Sequence, residues 1–183
     1  MTTFQSPNDL LLVAGKALTI FAQGVLVLIA IVLLIGAPLV IFFEDAIIAE
    51  TIAAGETIEG PLPVSALLGF SGVAVLAVAM MGAFFAKLRA IITSVGDGDP
   101  FEPANAERLS LMAWLLLGVE VVSIPVAGFG LWLSRWFDQS ENTDVTIDVG
   151  LNLTSILMII ILFILARVFK HGAAMRDDLE GTV

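Results

Sequence analysis

Charged side chains disappear from this chain in four long blocks and crowd together between them. Residues 17–43 carry no charge over 27 positions, and Gln23 is the one strongly polar group there. At a rise of ~1.5 Å per residue, a helix of that length crosses a ~30 Å hydrocarbon layer with some tilt. The apolar core of a secretory signal is roughly 7–15 residues, so the block reads as an uncleaved anchor. Residues 64–86 are again uncharged; residues 109–133 contain one acid, Glu120, together with Pro125; residues 151–169 have one charge, Arg167, near their end. Continuous apolar runs lack the alternation of a membrane barrel, and helices satisfy their own backbone polar groups where lipid offers no partners. The pattern predicts an all-α integral membrane protein: one membrane domain over residues 1–183, with four transmembrane helices arranged as a four-helix bundle.

The flanking charges give a direction. Lys16 precedes the first block, Lys87, Arg89 and Arg108 lie around the central connection, and Arg167, Lys170 and Arg176 close the fourth block or follow it. On the other side stands Arg135 alone, with five acids over residues 44–63 and four over residues 134–150. Basic residues are retained on the cytoplasmic side, so both termini and the central connection are expected there, with two acidic loops outside. This is the layout of a multi-pass membrane protein with both ends in the cytoplasm.

Local signals extend the helices beyond the bilayer. Ser6-Pro7-Asn8-Asp9 reads as a helix start with Pro7 at the first helical position, and Glu102-Pro103 starts the third membrane helix early. Lys170 to Asp178 has no breaker after Gly172. Between the second and third blocks, residues 94–101 read SVGDGDPF, a tight turn by their alternation of Gly and Asp before Pro. Asp97 and Asp99 lack the remaining ligands of a calcium loop, so no metal is expected. Residues 143–149, TDVTIDV, alternate like a strand and could pair with residues 56–59 in a small extracytoplasmic β-hairpin.

Composition narrows the chemistry. The chain is 58% hydrophobic, with a mean hydropathy of +1.02. It has no Cys and one His, His171, which excludes disulfides, thiolate metal centres and a Cys nucleophile. The net charge of −10 combines with a tail of mixed sign, so direct nucleic-acid binding is not expected. No constellation of nucleophile, base and metal is visible, so no catalytic residue, cofactor or enzymatic role is assigned.

Glu120 is the most informative intramembrane residue, lying ~16 Å along its block. A carboxylate at that depth must face the bundle interior, be protonated or be paired, with Gln23, Ser71, Ser123 and Thr154 as candidate polar neighbours. Two roles compete: a proton or cation site, and a hydrogen-bonded bridge between helices. Gly69, Gly72, Gly128 and Gly130 read as close-packing positions. Trp114, Trp132 and Trp136 suit the two membrane interfaces.

Two cytoplasmic segments carry a family resemblance. Gly98-Asp99-Pro100-Phe101, followed by Asn105-Ala106 and Arg108-Leu109, resembles the central signature of the DUF2975 family of bacterial membrane proteins. Residues 168–183, VFKHGAAMRDDLEGTV, resemble that family's closing pattern, with His171 where an Arg is typical and Gly181 where a Leu is. The family is biochemically uncharacterised, and its members often occur beside small helix-turn-helix regulators. The resemblance implies no reaction and favours a membrane partner for a cytoplasmic regulator; patterned polar residues gathered at that face lead to the expectation of a regulatory, sensing or scaffolding membrane protein with a cytoplasmic protein partner. Asp97, Asp99, Phe101, Asn105, Arg108, Lys170, His171, Arg176, Asp177, Asp178 and Glu180 form the candidate partner surface. The alternative is a proton- or ion-coupled transporter or channel subunit using Glu120. The lipid bilayer is the general partner in both, and either allows a homo-oligomer.

Overall fold

A computed structural model describes residues 7–53, 64–137 and 152–180. These form five helices: α1 (Pro7–Phe42), α2 (Glu44–Ala53), α3 (Val64–Gly96), α4 (Pro103–Phe137) and α5 (Leu153–Glu180). All but α2 are long and apolar enough to cross a membrane. The protein is thus all-α with four such helices. The two segments expected to make a β-hairpin, residues 56–59 and 143–149, lie outside the described residues.

The helix starts follow local chemistry. Pro7 and Pro103 each open a helix, where the missing N–H of proline costs nothing and its fixed φ suits the first turn. At α5 the Asn152 side chain caps the start, its Oδ1 accepting from the Thr154 N–H at 2.9 Å. Helix α2 occupies part of the connection expected to be a loop. Phe43 bonds back to the Leu39 carbonyl and Ile47 to that of Phe43, both at 3.0 Å, so helical hydrogen bonding carries through Phe43 from α1 into α2. Glu44 and Asp45 fall in the first turn of α2, where acids favour a helix start.

The four long helices pack antiparallel and in chain order: α1 on α3, α3 on α4, α4 on α5. Among the described residues α1 touches neither α4 nor α5, so the four-helix bundle is an open row. The core lies at one end of the row, where Leu109, Met112 and Ala113 of α4 meet Leu162 and Ala166 of α5. Phe84, Leu88 and Ile91 of α3 pack against this cluster. Elsewhere large apolar side chains stand exposed, from Leu10 through Phe21 and Ile35 to Phe42 on α1 alone. Such a surface is untenable in water and is what lipid requires.

Three glycines depart from the close-packing expectation. A Cβ placed on Gly69, Gly72 or Gly128 would meet nothing within 4 Å. The open row leaves these positions on its outer surface instead of between its helices.

Candidate functional site

The beginnings of α1 and α4 and the ends of α3 and α5 converge at the same end of the row, the end that carries Lys16, Arg89, Arg108, Lys170 and Arg176. The position of Gly15 against Ile92 and of Gly96 against Leu12 fixes α1 beside the end of α3. The turn 97–102 then returns the chain into α4.

That turn is built from its backbone outward. The Asp97 N–H bonds the Thr93 carbonyl at 2.9 Å and the Asp99 N–H that of Ser94 at 3.0 Å, closing α3. Between them Gly98 adopts φ +89°, a left-handed conformation that glycine takes without a Cβ clash. Asn105 then ties the turn to both helices. It is fully buried, at 0% exposure, and its amide N–H groups donate to Ser94 Oγ at 2.7 Å and to the Pro100 carbonyl at 3.0 Å. Its Oδ1 accepts from Arg108 at 2.8 Å. A flipped amide would set its NH₂ against the Arg108 guanidinium, donor to donor, so this orientation alone satisfies every partner. The Ser94 hydroxyl is free to donate to the Ile91 carbonyl at 2.9 Å. Arg108 also pairs with Glu102 at 2.9 Å, which holds the residue preceding Pro103 against the first turns of α4.

The tail meets the turn at two points. Arg176 of α5 forms an ion pair with Asp99. One and two turns back along α5, Gly172 and Phe169 receive the Phe101 ring: Phe101 and Phe169 have centroids 5.5 Å apart, and a Cβ on Gly172 would sit 2.7 Å from the Phe101 ring. Gly172 is therefore the gap into which that ring lies. Ala173 beside it is buried.

Of the residues singled out in sequence, Asp99, Phe101, Asn105, Arg108 and Arg176 thus form one contiguous arrangement. Asp97 is exposed at the turn and lines a hollow with Arg89, Glu102 and Arg108. Lys170 and Asp177 border a groove between α4 and α5, while His171 faces a second hollow with Ile164 and Val168. Asp178 is exposed and Glu180 ends α5. Sequence reasoning missed Ser94, Glu102, Phe169 and Gly172. The signals available beforehand were Ser94 at the start of the predicted turn, Glu102 at the predicted helix start, and Phe169 and Gly172 within the closing pattern.

Glu120 stands apart. It is half-buried on α4, two turns beyond the fully buried Ala113 and so on the same stripe of the helix. Two of its candidate neighbours are otherwise engaged: Ser123 Oγ donates to the Glu120 main-chain carbonyl at 2.7 Å, and Gln23 Nε2 reaches the Gly82 carbonyl at 3.5 Å. Among the described residues no group of three or more His, Asp or Glu is placed to hold a metal ion.

The family model described as "Protein of unknown function (DUF2975)" matches residues 47–183, most of the chain and all of the turn-and-tail arrangement. The chain belongs to the DUF2975 family. With its four apolar helices it is a multi-pass membrane protein of that bacterial family. The DUF2975 match begins within α2 and leaves α1 outside. Among curated proteins and among solved structures, no match to this chain is found.

Proposed function

We propose that this DUF2975 protein is a small regulatory, sensing or scaffolding membrane protein that presents its central turn and C-terminal helix to a cytoplasmic protein partner. The observation that carries the reading is the union of two segments some seventy residues apart, Asp99 with Arg176 (|i−j| = 77) and Phe101 with Phe169 and Gly172. A buried Asn105 network braces the turn from beneath. A mobile loop and a loose tail would lose ordering entropy on docking; a surface already fixed by its own contacts loses less. Its position at the basic end of the row favours the cytoplasmic side, with both termini inside. A small helix-turn-helix regulator is the partner class favoured by the family resemblance, and no catalytic role is proposed.

The test is membrane retention of a co-expressed candidate regulator and the output of its promoter. Removing residues 170–183 should release the regulator, and Asp99→Arg or Arg176→Asp should each weaken retention. The double exchange, which restores the pair with reversed sign, should recover part of it. Unchanged retention and output in the truncated protein would reject the tail's role.

A second reading rests on Glu120, a half-buried acid in the bilayer-spanning part of α4 for which no hydrogen bond or ion pair of the carboxylate is found among the described residues. It would make the protein an ion- or proton-coupled transporter or channel subunit. Liposome flux that is present in the wild type and lost in Glu120→Gln would support it, and absence of flux in both removes it.

A further inference from the structure

Between the start of α4 and the last turns of α5 runs a groove of about 560 Å³. Its α5 wall runs from Phe163 to Asp177, ~21 Å along the helix axis. The wall changes character on the way. Phe163 and the buried Ala166 make the end that points into the apolar block, whereas Arg167, Lys170 and Asp177 of α5 and Glu107 of α4 make the outer end. All four charged side chains are exposed. Among the described residues, no ion pair joins any of them to another side chain.

Two cations and two carboxylates around one amphiphilic groove specify its occupant by charge. An anionic headgroup would satisfy Arg167 and Lys170 but would bring its charge toward Glu107 and Asp177. A headgroup of both signs satisfies all four, and a primary ammonium can donate hydrogen bonds to carboxylates where a quaternary one cannot. The apolar end of the groove requires hydrocarbon beside the headgroup, and the exposed apolar faces of α4 and α5 place lipid there. We infer that the groove binds a membrane phospholipid with a phosphoethanolamine headgroup, its phosphate on Arg167 and Lys170, its ammonium on Glu107 and Asp177, and acyl chain along Phe163 and Ala166. Arg167 is suited to this role because it directly follows the apolar run of α5 and can extend its guanidinium to phosphate depth. The site lies beside the Asp99–Arg176 junction and shares Lys170 and Asp177 with the candidate partner surface, but it does not depend on the regulatory reading.

The experiment is native mass spectrometry of the full chain in mild detergent, offered equal amounts of phosphatidylethanolamine, phosphatidylcholine and phosphatidylglycerol with identical acyl chains. Wild type should retain phosphatidylethanolamine about tenfold over either competitor, the ratio that ~1.4 kcal/mol produces. Glu107→Gln combined with Asp177→Asn should shift the preference to phosphatidylglycerol. Arg167→Gln combined with Lys170→Gln should lower retention of all three lipids, phosphatidylglycerol most of all, because the two carboxylates then face its charge unopposed. Ala174→Trp, which fills the groove without altering its charge, should reduce retention of phosphatidylethanolamine. Circular dichroism checks that each variant is folded, and the wild-type competition decides the matter by itself should a variant fail. Equal retention of the three lipids by wild type, or a preference for phosphatidylglycerol, would overturn the inference. So would binding of soluble phosphoethanolamine as strong as that of the lipid, because the acyl chain would then contribute nothing.

Discussion

At the scale of single residues, two positions at the basic end hold the structure by different physics. Asn105 is a buried polar group with three partners, so Asn105→Ala takes one bond each from the Ser94 hydroxyl, the Pro100 carbonyl and the Arg108 guanidinium. That substitution should destabilise the protein by about 2 kcal/mol, since each stranded buried group costs ~1–3 kcal/mol and Arg108 keeps Glu102. Thermal unfolding in detergent, followed by circular dichroism, measures it. Gly172 acts by having no side chain. Gly172→Ala should displace the Phe101 ring and cost about 1–2 kcal/mol, within the range for overpacked sites. In a Phe101→Ala background the same change should cost almost nothing, and this double-mutant cycle isolates the contact. Asn105, Phe101 and Arg108 stood out in the sequence because they fall in the segment that resembles the family's central signature. Ser94 and Gly172 did not, because a serine or glycine acquires meaning here only when the hairpin register brings its partner alongside. Glu120 was legible for the opposite reason: a lone acid in an apolar block is conspicuous wherever it points.

At the scale of elements, punctuation was the readable part. Pro7 and Pro103 open helices where their position in the sequence predicted it, and the alternation of Gly and Asp does make the turn. Gly98→Ala should cost ~1–2 kcal/mol, the penalty for a Cβ in left-handed backbone, and should loosen the turn enough to speed amide exchange at Asp99. Gly69→Ala, by contrast, adds a methyl to open space and should be neutral or stabilising by up to ~1 kcal/mol, because alanine favours a helix. Equal destabilisation by both substitutions would show that Gly69 is covered by another molecule. Helix α2 was not legible: five acids over residues 44–63 read as a loop, and only the hydrogen bonds of Phe43 to Leu39 and of Ile47 to Phe43 reveal that helix continues past it.

At the scale of the molecule, the existence of the long helices follows from the sequence while their neighbours do not. In water an apolar stripe marks the face that packs, but helices that are apolar all round and bathed in lipid carry no such mark. Thus the row α1–α3–α4–α5, and the concentration of its core at one end, required the structure. The charge asymmetry was legible and yields a direct test of orientation, since the chain has no native cysteine. Asp45→Cys should be blocked in intact cells by a membrane-impermeant thiol reagent, and Asp97→Cys only after the cells are opened. Labelling of both from outside would overturn the proposed orientation. Serial packing also dictates how the molecule resists force. Drawn out of the bilayer by its N-terminus, α1 parts, among the described residues, from α3 and α2 and should leave with the core still clasped. Drawn by its C-terminus, the first element to yield is α5, which carries part of that core. The same protein should therefore keep its core when pulled from one end and lose it when pulled from the other.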